Sequence, residues 1–117
     1  MLIYTSDMRM SVQLAATKRP AIASQDPLAG DVASRAEAYS TYLAYYGTYE
    51  LDRDAVVHRI EASLFPGWAD QEQRRPFMHE RDQLVLRTPP VTEPDGSTVV
   101  NELAWVRAPG SATRPEG

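Results

Sequence analysis

The sequence predicts a mainly β fold: an antiparallel β-barrel with one α-helix, over about residues 32–46, that closes one end. Short alternating segments recur at roughly 8–12-residue spacing with turn residues between them, which is typical of antiparallel barrels and sandwiches. The length of 117 residues fits one domain with one core. We expect this domain to cover residues 1–107 and a disordered tail to follow over residues 108–117.

Composition excludes several classes of protein. The chain has no cysteine, so it has neither a thiol nucleophile nor a thiolate metal site. Its net charge of −4 argues against a nucleic-acid partner. No apolar run is long enough for a membrane helix, and the N-terminal residues do not resemble a secretory signal, so we expect a cytoplasmic protein without a membrane partner. The absence of nucleotide, metal and triad motifs predicts no cofactor and no metal site.

The first segments alternate between apolar and polar residues. Residues 2–5 and 10–14 are predicted to form a β-hairpin around a polar turn. Residues 15–30 contain Pro and Gly and are predicted to be a loop, in which residues 21–24 fit a short edge strand. The hairpin is therefore separated from the rest of the sheet by a long connection.

The predicted helix has signals at both ends. Asp31 is placed to accept from backbone N–H groups as its N-cap, and Gly47 is placed to end it. An apolar stripe recurs at helical spacing and consists of Ala36, Tyr39, Leu43 and Tyr46. This stripe predicts either a helix that packs on the sheet or a tyrosine hydroxyl that enters a cavity.

A β-meander follows the helix. Its strands are predicted at residues 48–52, 55–64, 72–79, 83–88 and 98–107. Residues 65–70 form a corner with Pro and Gly, and a proline-rich loop ends in Asp95-Gly96, a strong hairpin signal.

His58 lies on the apolar face of the strand over residues 55–64. If Asp52 lies opposite Ala55 in the preceding hairpin, the two-residue period places Tyr49 opposite His58 on the inner face, together with Ile60. His58 is then either a core histidine with satisfied hydrogen bonds or a pocket histidine that orients a ligand or transfers protons.

Phe77 is expected to point inward, and Arg75 shares its face. An unpaired buried charge is costly, so Arg75 either meets a carboxylate or a ligand anion or lies near the rim with its head in water. We favour the rim position. Pro76 cannot donate to a ladder and predicts a local edge or a bulge.

The last strand has two possible phases. In the favoured one Asn101, Leu103 and Trp105 face inward, and Glu102 faces outward, where it is solvated or pairs with Arg87. In the reversed phase Glu102 becomes a buried carboxylate and a candidate base.

Several stretches resemble the bacterial and fungal lipocalin-like domain family. They are LIYTSDMRMSVQL, RPAIASQDPLAG, YLAYYGTYELD, VVHRIEASLFPGWADQEQRRPF, LVLRTPPV and VNELAWVR, and they cover residues 2 to 107. The resemblance implies a small antiparallel barrel, closed at one end by a helix, whose cavity takes an apolar small molecule. Distantly related barrels include cofactor-free cyclases and isomerases. The positions that match the family motifs, without an implied catalytic role, are His58, Glu61, Ser63, Trp68, Asn101 and Trp105.

One departure from the family predicts a partner. Members of the family usually begin with a strand of Gly-x-Trp-x-Leu type ahead of the segment that here reads LIYT. Either the barrel closes with fewer strands, or the chain given is short of that strand, or another protomer supplies the missing edge. An open edge strand is a template for pairing. We therefore expect a homodimer through this edge.

The favoured function is that of a cofactor-free cyclase or isomerase of secondary metabolism, which acts on an apolar, possibly polyketide-like molecule. Tyr49 and His58 are the candidate donors or proton carriers, and Asn101 is placed to polarise a carbonyl. The candidate ligand-binding residues are Tyr39, Tyr46, Ile60, Trp68, Arg75, Phe77, Leu103 and Trp105. The alternatives are a non-catalytic carrier or sensor of a hydrophobic molecule and a structural domain whose core is filled.

Overall fold

One antiparallel sheet contains most of the strands. The structure is a computed structural model that describes residues 1–88 and 90–108. Its elements are β1 Leu2–Tyr4, β2 Arg9–Ala15, α1 Val32–Ser40, β3 Tyr42–Asp52, β4 Ala55–Ser63, a 3-10 turn Pro66–Trp68, β5 Glu72–Glu80, β6 Gln83–Arg87, β7 Val91–Thr92, β8 Thr98–Val99 and β9 Glu102–Val106. Seven strands follow the order β1-β2-β3-β4-β5-β6-β9, and β7 pairs with β8 alone. The predicted fold class, mainly β with one helix, is confirmed.

The chain divides into two compact units. The first contains Met1–Tyr49 and Arg59–Glu72, and the second contains Glu50–His58 and the chain from Gln73 onward. In the first unit β2 pairs with β3 over seven residues, from Arg9 opposite Thr48 to Ala15 opposite Tyr42. Since paired residues share a face, this register gives the unit one buried face that contains Met10, Val12, Tyr45 and Gly47.

The helix is shorter than predicted. Asp31 caps it as expected, because its carboxylate accepts from the Ser34 N–H at 2.7 Å, and this backbone bond lowers the pKa of Asp31. However, α1 ends at Ser40, and Gly47 lies inside β3 instead of ending the helix. Residues 42–46 are all aromatic or aliphatic, and their pairing with β2 selects the extended form over the helix.

The predicted apolar stripe is consequently wrong. Its first members lie on α1, which has no buried residue, whereas its last members, Leu43 and Tyr46, lie in β3 on opposite faces. The C-terminal end of α1 is instead bound by Arg19 from the preceding loop. The Arg19 guanidinium donates to the Ala38 carbonyl at 3.0 Å and to Thr41 Oγ1 at 3.1 Å. A cation at this end also complements the helix dipole.

Two smaller predictions differ from the structure. Residues 21–24 form no strand. The last strand is interrupted at residues 100 and 101, because its first part pairs with β7 and its second part pairs with β6. The Asp95-Gly96 turn is present: Gly96 has φ +89° and donates its N–H to the Glu93 carbonyl at 2.9 Å. Apart from Ala108, the predicted tail lies outside the described residues.

In the second unit β5 pairs with β6, and β6 pairs with β9, in one continuous register. Phe77 lies opposite Leu86, which lies opposite Leu103, and one row further Leu84 lies opposite Trp105. These side chains are all buried or half-buried, while Glu102 is exposed and pairs with Arg87, with 2.9 Å between Oε2 and Nε. The favoured phase of the last strand is therefore confirmed for Leu103 and Trp105, and the reversed phase is wrong.

Pro76 lies where β5 has no partner on one side. The ladder between β5 and β6 begins at Phe77, one residue beyond Pro76. A residue without an N–H group is tolerated at such a local edge, as the sequence predicted. In the part of the chain that the structure describes, no helix is long and apolar enough to cross a membrane.

Candidate functional site

His58 is fully buried in β4, with 0% exposure. Burial and, to a smaller extent, the positive charge of Arg75 together lower the pKa of His58 to about 4. At neutral pH the imidazole is therefore uncharged, so one ring nitrogen accepts hydrogen bonds and the other donates.

Arg75 is also buried, at 6% exposure. The favoured expectation, that its head stays in water at a rim, is therefore wrong. Within residues 1–88 and 90–108 no side chain forms an ion pair or hydrogen bond with its guanidinium. A buried guanidinium remains charged, and a charge without a partner in such a place is unfavourable.

The strand register brings Arg75 and His58 to one face. The Phe77 N–H donates to the Asp54 carbonyl at 2.9 Å, and counting inward from this bond places Arg75 opposite Val56. His58 is the next residue of β4 on that face. In antiparallel strands a diagonal pair of this kind lies within reach of long side chains.

The same unit contributes apolar side chains and one further donor. Phe77, Leu86 and Leu103 form one row of the buried face, and Trp105 lies in the next row. The indole Nε1 of Trp105 is buried, and none of the described residues accepts a hydrogen bond from it. A buried N–H without an acceptor is rare in folded proteins and costs free energy.

The first unit contains a separate aromatic cleft of about 420 Å³. The cleft lies where the end of α1 meets the start of β3 and the end of β4, and its walls consist of Tyr39, Ser40, Tyr42, Leu43, Leu64, Phe65 and Trp68. Trp68 is the centre of an edge-to-face cluster, with its ring centroid 5.7 Å from that of Phe65 and 5.8 Å from that of Tyr45. The volume of the cleft falls within the range of pockets that bind small organic molecules.

The predicted site residues are distributed over both units. Tyr39 and Trp68 line the cleft, and Ile60 is buried in the first unit. Tyr46 is exposed on the face of β3 opposite to Tyr45, so its predicted place on the apolar stripe is not observed. Arg75, Phe77, Leu103 and Trp105 lie in the second unit, as described above.

Tyr49 and Asn101, predicted as catalytic, already have structural bonds. The Tyr49 hydroxyl donates to the Thr5 carbonyl at 2.9 Å. Asn101 has an exposed side chain, so its predicted inward position is wrong, because β9 begins only at Glu102; its backbone N–H donates to Thr88 Oγ1 at 2.8 Å. Their catalytic roles stay predictions.

Sequence reasoning missed several residues of the cleft. The sequence pattern places Tyr42 and Leu43 in the helix, and Leu64 and Phe65 at the end of a strand and in a corner, whereas all four line the cleft. The available signal was the aromatic pair that flanks Pro66-Gly67 in the sequence, since an aromatic side chain on each side of a tight turn favours a cluster at that turn. In the described ranges, no three acidic, histidine or cysteine side chains are arranged to hold a metal ion.

Comparison with known proteins supports the resemblance seen in the sequence. No curated protein matches the chain. The family model described as the lipocalin-like domain matches residues 1–108, which is nearly the whole chain. The chain therefore belongs to the lipocalin-like domain family.

Proposed function

We propose that the protein binds a small, largely apolar molecule. The observation that carries this proposal is the aromatic cleft of about 420 Å³, whose walls combine apolar surface with a few hydroxyl groups. Pockets of this composition bind ligands by burial of apolar area, with polar groups that fix the orientation. A lipocalin-like fold also fits small-molecule binding.

A neutral fluorescent probe tests the cleft. We expect N-phenyl-1-naphthylamine to bind to the wild-type protein and Tyr39→Ala to weaken its affinity by about fivefold to tenfold, because truncation removes one aromatic wall. Tyr46→Ala is the matched control, since Tyr46 is similarly exposed but lies outside the cleft. Fluorescence titration gives both affinities. Equal losses in the two variants, or no binding to the wild type, would contradict the assignment of the cleft.

We further propose that the bound molecule undergoes cyclisation or isomerisation without a cofactor, as expected for an enzyme of secondary metabolism. The observation that favours catalysis over transport is the uncharged, fully buried imidazole of His58, which has the right form to accept a proton from carbon. In such a step the C–H electron pair moves onto a carbonyl oxygen to form an enolate, and the proton goes to an imidazole nitrogen. Asn101, which lies in the same unit as His58, is the candidate donor to that oxygen. The low pKa makes His58 a weak base, so we expect a modest effect on a generic ketone.

Exchange of the α-protons of α-tetralone with deuterated water measures this proton transfer. The wild type is expected to accelerate exchange by about tenfold over buffer, and His58→Gln to remove the acceleration. His79→Gln serves as the control because His79 is exposed. NMR integration follows the exchange. If the wild-type protein exchanges the ketone no faster than buffer does, the carrier function is favoured instead.

We also propose that a second copy of the chain pairs with β1. This strand is at one end of the sheet order, and it presents Ile3 with 42% exposure. Light scattering after size-exclusion chromatography is expected to show a dimer that Ile3→Lys converts to a monomer, because a lysine on an edge strand opposes pairing. A wild-type monomer would contradict this proposal.

A further inference from the structure

We propose that Arg75 binds the carboxylate of a small, otherwise apolar ligand on the buried face of β5. This site lies within the second unit and is separate from the aromatic cleft of the first unit, so it goes beyond the proposed function. It starts from the guanidinium, which is buried and has no acidic partner among the described residues. Since an unpaired charge is costly to bury, an anion that enters this place gains the pairing that residues 1–88 and 90–108 do not supply.

The acidic side chains near this part of β5 are used elsewhere. Arg74, the preceding residue, points to the opposite face, where its Nη2 lies 3.4 Å from Asp52 Oδ2 and 4.0 Å from Asp54 Oδ1. Two surface carboxylates therefore lie beside the exposed Arg74, whereas none of the described carboxylates pairs with the buried Arg75. The two neighbours carry the same charge and differ in environment, and this difference makes Arg75 available to a ligand.

The surroundings select the chemical class of the anion. The buried polar or charged residues that the structure describes are His58 and Arg75, so the face has one permanent positive charge and matches one negative charge. A guanidinium presents two parallel N–H groups that fit a carboxylate in a bidentate manner. Phosphate monoesters carry more negative charge at neutral pH than one arginine offsets. A monocarboxylate on an apolar body is therefore the class that fits.

Two further groups on this face suit such a ligand. Phe77 follows Arg75 by two residues and shares its face, and with Leu86 and Leu103 it provides the apolar surface beside the cation. Trp105 Nε1 is a second buried donor that lacks an acceptor within the described ranges. A ligand with oxygen acceptors and an apolar body would accept hydrogen bonds from both the Arg75 guanidinium and Trp105 Nε1. The apolar side chains around them cannot do so.

The experiment compares two probes of equal shape, 2-naphthoate and 2-naphthalenemethanol, by titration calorimetry with the full chain. We expect the wild type to bind the carboxylate more than about tenfold more tightly than the alcohol. Arg75→Met should remove this preference while the affinity for the alcohol changes by less than about twofold. Arg75→Lys keeps the positive charge but lacks the two parallel N–H groups of the guanidinium, so it should retain only part of the preference for the carboxylate.

Arg74→Met is the matched control, because it removes the same charge from the opposite face. It is expected to leave the preference unchanged, and circular dichroism confirms that each variant is folded. Equal binding of both probes to the wild type, or an equal loss of preference in Arg74→Met, would overturn this proposal without bearing on the aromatic cleft. If neither probe binds to the wild type, the carboxylate proposal fails, and binding of N-phenyl-1-naphthylamine then decides separately whether the apolar cleft is a site.

Discussion

Gly47→Ala is expected to lower the free energy of unfolding by about 3 kcal/mol. Gly47 is buried in β3, and a Cβ atom added there would overlap the carbonyl oxygen of Arg59 and lie 3.0 Å from the amide nitrogen of Glu61. Both contacts are with backbone, so the strand itself must move to make room. Urea unfolding monitored by fluorescence measures the loss.

Gly67→Ala is the control for this prediction. Its added Cβ would approach a flexible side chain, with 2.8 Å to Cε2 of the Phe65 ring, and that ring is 46% exposed and free to rotate away. The expected loss is below about 1 kcal/mol. A similar loss in the two variants would show that the close approach at Gly47 is not what requires glycine.

The stability of the protein is expected to fall between pH 6.5 and pH 4 by up to about 3 kcal/mol because of His58 alone. Burial and Arg75 lower the pKa of this histidine from 6.5 to about 4. In this interval the unfolded chain therefore binds a proton that the folded chain does not. The stabilisation is complete above pH 6.5, is lost progressively as the pH falls, and changes no further below about pH 4.

Urea unfolding at a series of pH values, compared between the wild type and His58→Gln, isolates this contribution from that of the carboxylates. The variant should show a flatter pH dependence over the same interval. His79→Gln, which changes an exposed histidine, should keep the wild-type slope. A His58→Gln profile parallel to that of the wild type would contradict the lowered pKa.

Most of the strands could be predicted from the sequence because their signals are local. The two-residue period gave the faces of β4, β5 and β9, and it placed Leu103 and Trp105 correctly on the inner side. The end of the helix was wrong for a non-local reason. Residues 42–46 fit both a helical and an extended pattern, and the choice depends on β2, which lies far away in the sequence.

The candidate site was predictable in part for similar reasons. Alternation alone identified His58 and Arg75 as residues of an inner face. It did not indicate how deeply Arg75 is buried, since that depends on where β5 begins and on its neighbours. Prediction of the aromatic cleft required the correct end of the helix. Because α1 ends at Ser40 and not at residue 46, Tyr42 and Leu43 were absent from the predicted site.

The helix α1 has a consequence for how the cleft responds to ligands. It buries no residue, and the bonds that hold its ends come from Asp31 and from Arg19 in the adjoining loop. Segments with so little buried apolar area open locally at low free-energy cost. Because Tyr39 and Ser40 belong both to α1 and to the cleft wall, a ligand that binds in the cleft is expected to order this segment. We therefore expect such binding to slow amide hydrogen exchange in residues 32–40, so that the helix reports binding even of ligands without colour or fluorescence.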